Sequence, residues 1–475
     1  MTDIEIVAQR RVEIVDAKYT ETGVRRYKGN PFIEALPRIE TTKRKFLTNL
    51  SQYPTPPTTS ARKRGEIVRI MEMMVLNDLI YPFPEYQKAG IALATTLRDA
   101  YVARNPLASI DRQRRHALAT NGRDGLPFPS DWKSSARGHL MIAVSGMGKT
   151  TFARAFLLRY PQVIRHTEYK GQELRCHQIV YLILRIPHDA TLKSLCFQFF
   201  EEIDLLLGTD YARDARSRRQ IGAMVQLMNQ VATAVSLAFL VIDEVQNLSN
   251  AKGGTAEYVL NFFSELIEKV GISLLILATP AVQTVIEGSV RNARKIASYG
   301  ETVIQPMGKN DPQWEDFCET YWEYTLVRQK GKLDKKVRDA WHDVSAGNTA
   351  FAALAFMLSQ RNEIGGREIV DVTAFHRTAA TDMAFLQPAI AALRSGDPRK
   401  LRAFDDLVFS PKYRALRKLL GAKESDSIAS TPEEFDDLPS DDRSTAKRNS
   451  KTKRTPTRVD ELLDLTLPIE DPLIL

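Results

Sequence analysis

Residues 139–152, His-Leu-Met-Ile-Ala-Val-Ser-Gly-Met-Gly-Lys-Thr-Thr-Phe, constrain the fold of this chain more than any other stretch. An apolar run of strand length feeds into the turn, and a helical pattern follows it. A buried strand that turns through small residues into a helix leaves several main-chain N–H groups aimed at one point. There, with the helix dipole, they hold phosphate oxygens. The pattern assigns Ser145, Gly146, Met147, Gly148, Lys149, Thr150 and Thr151 to such a loop. Lys149 would reach the β- and γ-phosphates of ATP, and the Thr150 hydroxyl would ligate Mg2+. The usual pattern, G-x-x-x-x-G-K-[ST], has a glycine where this chain has Ala143.

A second element answers the first. Residues 237–244, Leu-Ala-Phe-Leu-Val-Ile-Asp-Glu, are six apolar residues that end in two carboxylates. A run of this kind is a buried parallel strand, and open α/β sheets bind ligands beyond the C-terminal ends of their strands. Asp243 would therefore hold the metal through its water shell, and Glu244 would orient and deprotonate the attacking water. The two motifs occur in the right order with a strand before each, so the pair is far more specific than either alone.

Strands alternate with helices around these motifs, which predicts a parallel sheet covered on both faces. Residues 177–186 read as one long strand ended by Pro187, and residues 191–207, 212–235 and 256–270 read as helices with Thr191 an N-cap. The strand 272–278 runs into Thr279-Pro280. Two readings stay open for Thr279: a hydroxyl on the attacking water or the γ-phosphate, or a plain N-cap before Pro280. The segment 291–295, Arg-Asn-Ala-Arg-Lys, precedes a last strand at 301–305. Arg291 or Arg294 would either reach the γ-phosphate of a neighbouring subunit or form an ordinary solvated helix end. An extra strand between the lysine and the aspartate matches additional-strand NTPases rather than simple kinases. The apolar slot for adenine is expected around residues 110–126.

Five parts follow in order. Residues 1–65 read as an extended N-terminal arm, 66–126 as a helical lead-in, 127–307 as the nucleotide-binding α/β domain, 308–420 as a small helical lid, and 421–475 as a disordered, charge-blocked tail. The lid helices are expected at 314–326, 333–344, 348–360, 372–384 and 389–394. Where many such lids carry an arginine, this one has Ser345-Ala-Gly-Asn-Thr-Ala-Phe351, so no lid arginine on the γ-phosphate is expected. The tail ends in leucines set between acids (Leu462, Leu463, Leu465 and Leu467), either a partner-docking peptide that orders on binding or a tail without a role.

Composition bounds the partners. The chain has 475 residues and a formal net charge of +8, while residues 422–475 carry 8 basic and 13 acidic residues, which leaves +13 on residues 1–421. A basic body of that size favours a polyanion such as DNA or RNA. Three scattered cysteines argue for packing in a reducing cytoplasm rather than for disulfides or zinc. No apolar run is of membrane-spanning length, and the first residues lack the layout of a secretion signal.

The order of the loop, residues 241–248 (Val-Ile-Asp-Glu-Val-Gln-Asn-Leu), residues 277–280 (Leu-Ala-Thr-Pro), residues 291–295 and the lid resembles the AAA+ P-loop ATPases. Within them the chain is similar to the TnsC/TniB transposition regulators. The segments 27–37 (Tyr-Lys-Gly-Asn-Pro-Phe-Ile-Glu-Ala-Leu-Pro), 385–394 and 404–407 look like the TnsC branch. The likeness covers roughly residues 25–410. It implies an ATPase in the bacterial cytoplasm that forms a homo-oligomer, ring or helical filament, on double-stranded DNA. That assembly would link a target-selection protein to the transposase and its companion nuclease, without membrane contact and without cutting DNA itself. It also implies that the flanks of the second strand track one DNA strand through backbone phosphates, with Lys170 and Arg175 before it, Thr191 at the following helix start and Lys193 one turn in as candidates; an ordinary solvated surface is the other reading of each. A replication-initiator or clamp-loader-like ATPase is the alternative, and a nucleotide-switched adaptor without turnover is a third. The initiator would want an added helix-turn-helix domain, for which no room is expected after Leu420, and the adaptor would not need Glu244.

Overall fold

The computed structural model describes residues 13–120, 127–251, 254–282, 285, 290–397, 400 and 404. The tail at 421–475, the segment 405–407, the lid end at 405–420 and the first twelve residues lie outside the described residues.

The central sheet has five strands: β2 (Gly138–Ala143), β5 (Tyr181–Arg185), β6 (Phe239–Asp243), β7 (Ser273–Ala278) and β8 (Glu301–Ile304). They lie in the order β5-β6-β7-β2-β8, and every pairing is parallel. β2, β6 and β7 are buried along their whole lengths, as strands covered by helices on both faces must be. The order places β6 and β2 on either side of β7, so the phosphate loop and the Asp243-Glu244 pair open at the same sheet edge.

A second, three-stranded sheet was not expected. β1 (Ile14–Asp16) pairs parallel with β3 (Val163–Tyr169), which forms an antiparallel hairpin with β4 (Gln172–Ile179). The single strand expected over 177–186 is corrected accordingly: the chain leaves β4 at Ile179 and enters the main sheet as β5 at Tyr181. The hairpin turns at Lys170-Gly171, both at positive φ (50° and 81°). The helix expected over 212–235 is likewise two, Tyr211–Ser217 and Ile221–Ala234, broken at Arg218-Arg219.

Residues 13–65 carry only short elements and draw their order from the body. Phe32 and Ile33 are fully buried, which contributes about 2–3 kcal/mol each. Around them, Asn30 Nδ2 donates to the Tyr101 carbonyl at 2.7 Å, Gln178 Nε2 to the Phe32 carbonyl at 2.9 Å, and Tyr169 Oη to Glu34 at 2.7 Å. The arm is thus wedged between the hairpin and the long helix Pro84–Val102.

Lid helices occupy Pro312–Trp322, Lys335–Asp343, Thr349–Glu363, Val372–Ala380 and Gln387–Ser395, around an aromatic centre in which Trp341 stacks on Phe356 and Phe375. Four of the five have a side-chain N-cap: Asp311, Asp334, Asn348 and Asp371. The lead-in helix Glu66–Glu72 joins the lid through Arg69, whose guanidinium donates twice to Glu368, at 2.7 Å each, with both residues buried. Cys176, Cys196 and Cys318 are free, and burial pushes the Cys196 thiol up to about 12. Among the described residues, no helix is long and apolar enough to cross a membrane.

Candidate active site

β2 ends at Ala143, the chain turns through 144–148, and the helix Lys149–Leu157 begins. Gly146 and Gly148 sit at φ +86° and +78°, where a side chain is strained. Space is short as well: a Cβ on Gly146 would lie 2.6 Å from Asn348 Oδ1, and one on Gly148 would lie 2.7 Å from Tyr86 Oη, so either side chain would have to shift. Ala143 is a different case. It is still in the strand, paired with Ile304 and fully buried, so its extended backbone has no need of glycine.

Lys149 Nζ donates to the Ala143 carbonyl at 2.8 Å and to the Val144 carbonyl at 3.4 Å, which places the ammonium inside the loop. Thr150 Oγ1 donates to Asp243 Oδ2 at 2.9 Å, and Asp243 is 3% exposed. A hydroxyl and a carboxylate side by side are hard oxygen donors. They fit Mg2+, which takes one or two protein oxygens and completes its shell with water and phosphate.

Glu244 is exposed and left-handed, at φ +60°, and its N–H donates to Asp243 Oδ1 at 2.9 Å. Sequence reasoning missed its neighbour Gln246, whose amide donates to Glu244 Oε2 and accepts the Thr279 N–H. Thr279 is buried where β7 ends, and its carbonyl accepts from Val282 N at 3.1 Å in the turn Pro280–Val282. Both carboxylates and Thr279 therefore meet the loop at one sheet edge.

Asn348 was also missed as a functional residue. It caps the lid helix Thr349–Glu363 through Oδ1, and its Nδ2 donates to the Ser145 carbonyl at 2.7 Å. Thr349 Oγ1 and Ala350 N donate to the Gly146 carbonyl at 2.7 and 3.1 Å. No local periodicity carries such a contact, because more than two hundred residues separate its two sides.

The described part of residues 110–126, expected as the adenine wall, does not line the cavity beside the phosphate loop. A cavity of about 400 Å³ beside Gly146, Gly148 and Thr151 is walled by Leu79, Tyr81 and Tyr86 of the lead-in and by Tyr321, Ala353 and Met357 of the lid. Tyr86 stacks on Phe152 at 4.5 Å, and its hydroxyl, held un-ionised by burial, donates to the Gly148 carbonyl at 3.2 Å. The described part of 110–126, within the helix Ser109–Thr120, packs on the helix Ile221–Ala234 instead. It borders a larger groove of about 570 Å³ with Tyr258, which touches no residue of the phosphate loop. The sequence signal for the wall of that cavity was the aromatic cluster Tyr81-Pro-Phe-Pro84 with Tyr86, legible only as a helix break.

Arg291 and Arg294 are exposed on the helix Val290–Ile296. Asn292 anchors that helix, accepting from Ser264 Oγ at 3.0 Å and donating to Asn261 at 2.9 Å. The four DNA candidates divide into two pairs. Lys170 and Arg175 lie on the hairpin, where Lys170 pairs with Glu34 at 3.5 Å and Arg175 with Glu173 at 2.7 Å. Thr191 caps the helix Leu192–Leu207, with its hydroxyl engaged by Asp189 and Ser194, and Lys193 lies over the Phe197 ring. The second half of β4 and all of β5 separate Arg175 from Thr191 along the chain.

A five-stranded parallel sheet in this order, with a phosphate loop after β2 and paired carboxylates after β6, defines an AAA+ P-loop ATPase. Residues 133–286 match the AAA domain family. The chain is also similar to the Aeropyrum pernix ORC1 protein, solved in complex with DNA, at 16% identity, covering 60% of this chain and 68% of that one with a TM-score of 0.35. A Walker-type ATPase of Pyrococcus abyssi is 13% identical, with 67% and 91% of the two chains covered and a TM-score of 0.36. Domain III of the Thermotoga maritima replication initiation protein DnaA is 15% identical, with 57% and 90% covered and a TM-score of 0.29. No curated protein matches the chain.

Proposed function

We propose that this ATPase assembles on duplex DNA as an ATP-dependent regulator of transposition, with hydrolysis resetting the assembly. Lys149 and the loop amides would hold the phosphates, and Thr150 and Asp243 would hold Mg2+, which would supply positive charge against the phosphate oxygens. Glu244 orients the attacking water and takes its proton, and Thr279 bonds the water or the γ-phosphate.

The observation that carries the oligomer is the helix Val290–Ile296. Its last residue, Ile296, sets its main-chain carbonyl against Gly138 at the start of β2. Two exposed arginines on an anchored helix, Arg291 and Arg294, suit the γ-phosphate of a neighbouring subunit.

The +13 on residues 1–421 supports backbone contact with DNA, through Lys170, Arg175, Thr191 and Lys193. The likeness to the TnsC/TniB regulators supports the partners: a target-selection protein on one side, and on the other a transposase with its companion nuclease, docked by residues 459–475. The five-part division at 65, 126, 307 and 420 belongs to the same reading.

Electron microscopy with duplex DNA and a non-hydrolysable ATP analogue tests it, and rings or filaments on DNA that require the analogue are expected. Binding should weaken steeply with salt and show little sequence preference. A strong preference for one duplex sequence by the protein alone would favour the replication-initiator reading instead. Mixing Glu244→Gln protein with an Arg291→Ala/Arg294→Ala variant should give mixed-site activity unlike either parent, and its absence counts against the trans arginine.

A further inference from the structure

The Gln246 carboxamide spans two parts of the site. Nε2 donates to Glu244 Oε2 in a short hydrogen bond, and Oε1 accepts the Thr279 main-chain N–H across 3.2 Å. A carboxylate accepts and a peptide N–H donates, so only one orientation of the amide satisfies both partners. The turn that carries Gln246 is itself fixed. Val245 and Leu248 are buried beneath it, Asn247 Nδ2 donates to the Ile186 carbonyl at 2.8 Å, and Asn247 N donates to the Glu244 carbonyl at 3.0 Å. Glu244 sits at φ +60°, a left-handed conformation that costs roughly 1–2 kcal/mol for a residue with a Cβ, so its direction is imposed by these neighbours.

We propose that Gln246 is a positioning residue for ATP hydrolysis, holding the Glu244 carboxylate at a fixed place relative to the end of β7. The proposal rests on the reading of Glu244 as the group that orients the attacking water. An exposed glutamate with three rotatable bonds samples many positions, and a displacement of about 1 Å at the reacting centre costs up to about 100-fold in rate. With Oε2 held by the Gln246 amide, Oε1 is left to accept from water. Thr279 is the other end of the link, so the carboxylate and the strand end facing the γ-phosphate are kept in one frame. Glu244 and the bond to it are solvent-exposed, so the bond contributes about 1 kcal/mol or less to folding, and its removal leaves the fold intact.

Steady-state ATPase kinetics on the full chain test this. Gln246→Ala is expected to lower kcat at least about ten-fold while KM for ATP and the Kd of a non-hydrolysable analogue stay within about two-fold. Gln246→Glu keeps an acceptor for Thr279 but sets two carboxylates side by side, and it should lose at least as much. Added to Glu244→Gln, the alanine change should cause no further loss, because a residue that acts through Glu244 has nothing left to position. Full kcat in Gln246→Ala, or an equal further loss in the Glu244→Gln background, would overturn the proposal. Parental turnover by Glu244→Gln alone sinks the base assignment itself. Loss in Glu244→Gln with parental turnover in Gln246→Ala sinks only the positioning role.

Discussion

The Thr150 hydroxyl donates to Asp243 across 2.9 Å, joining the start of the helix after β2 to the end of β6. Two strands that are not neighbours in the sheet thereby present their oxygens to one point. Thr150→Val, which keeps the shape and removes the oxygen, should raise the Mg2+ concentration for half-maximal ATPase at least about ten-fold. A Mg2+ titration at saturating ATP reads this, and an unchanged midpoint would remove Thr150 from the metal shell.

Lys149 has its ammonium within the loop, on the Ala143 and Val144 carbonyls. Lys149→Ala should therefore abolish ATP binding, whereas Glu244→Gln should keep it and lower kcat by about 100-fold or more. Equilibrium binding of a fluorescent ATP analogue, set beside steady-state turnover, separates the two.

Asn348 both caps a lid helix and bonds the loop. Asn348→Ala should lower stability by about 1 kcal/mol through the lost cap and also raise KM for ATP. Asn348→Ser retains a cap but is too short to reach Ser145, so it should restore the melting temperature and leave KM raised. Recovery of both together would show that the loop contact has no effect on nucleotide.

Glu368 is held down to about 2 by the Arg69 guanidinium, against an ordinary value near 4.5 in the unfolded chain. A carboxyl depressed in the folded state stabilises it above the unfolded value, and that contribution is lost as pH falls from about 4.5 toward 2. Urea midpoints at pH 6 and pH 3.5 should differ by more in the parent than in Glu368→Gln. At pH 6 the Gln variant, which leaves Arg69 buried without its counter-charge, should be less stable by about 3–5 kcal/mol.

The parts of this molecule that were legible in the sequence are those whose signal is local. β2, β6 and β7 are continuous apolar runs, and the lid helices keep their spacing between capping residues, so pattern alone places them. Legibility failed where a long-range partner decides. Val180 separates two strands of different sheets inside what reads as one apolar run, because only the pairing of β4 with β3 and of β5 with β6 distinguishes them. The cavity wall at Tyr81 and Tyr86 depends on a lid that lies more than two hundred residues later in the chain. Gln246 sits within a quoted motif, yet its role shows only once Thr279 is brought beside it.

The peptide joining Ser145 to Gly146 is a planar conjugated unit whose oxygen accepts from Asn348 at 2.7 Å. Its N–H lies on the opposite side of the same plane, within the phosphate loop. An anion accepting from that N–H would shift electron density through the amide toward oxygen, and hydrogen bonds in such chains strengthen one another by about 10–30% each. A phosphate held on one side would therefore tighten the grip of the lid on the other, with no side chain needing to move between them. The coupling would pass through a single resonance, over the width of one amide.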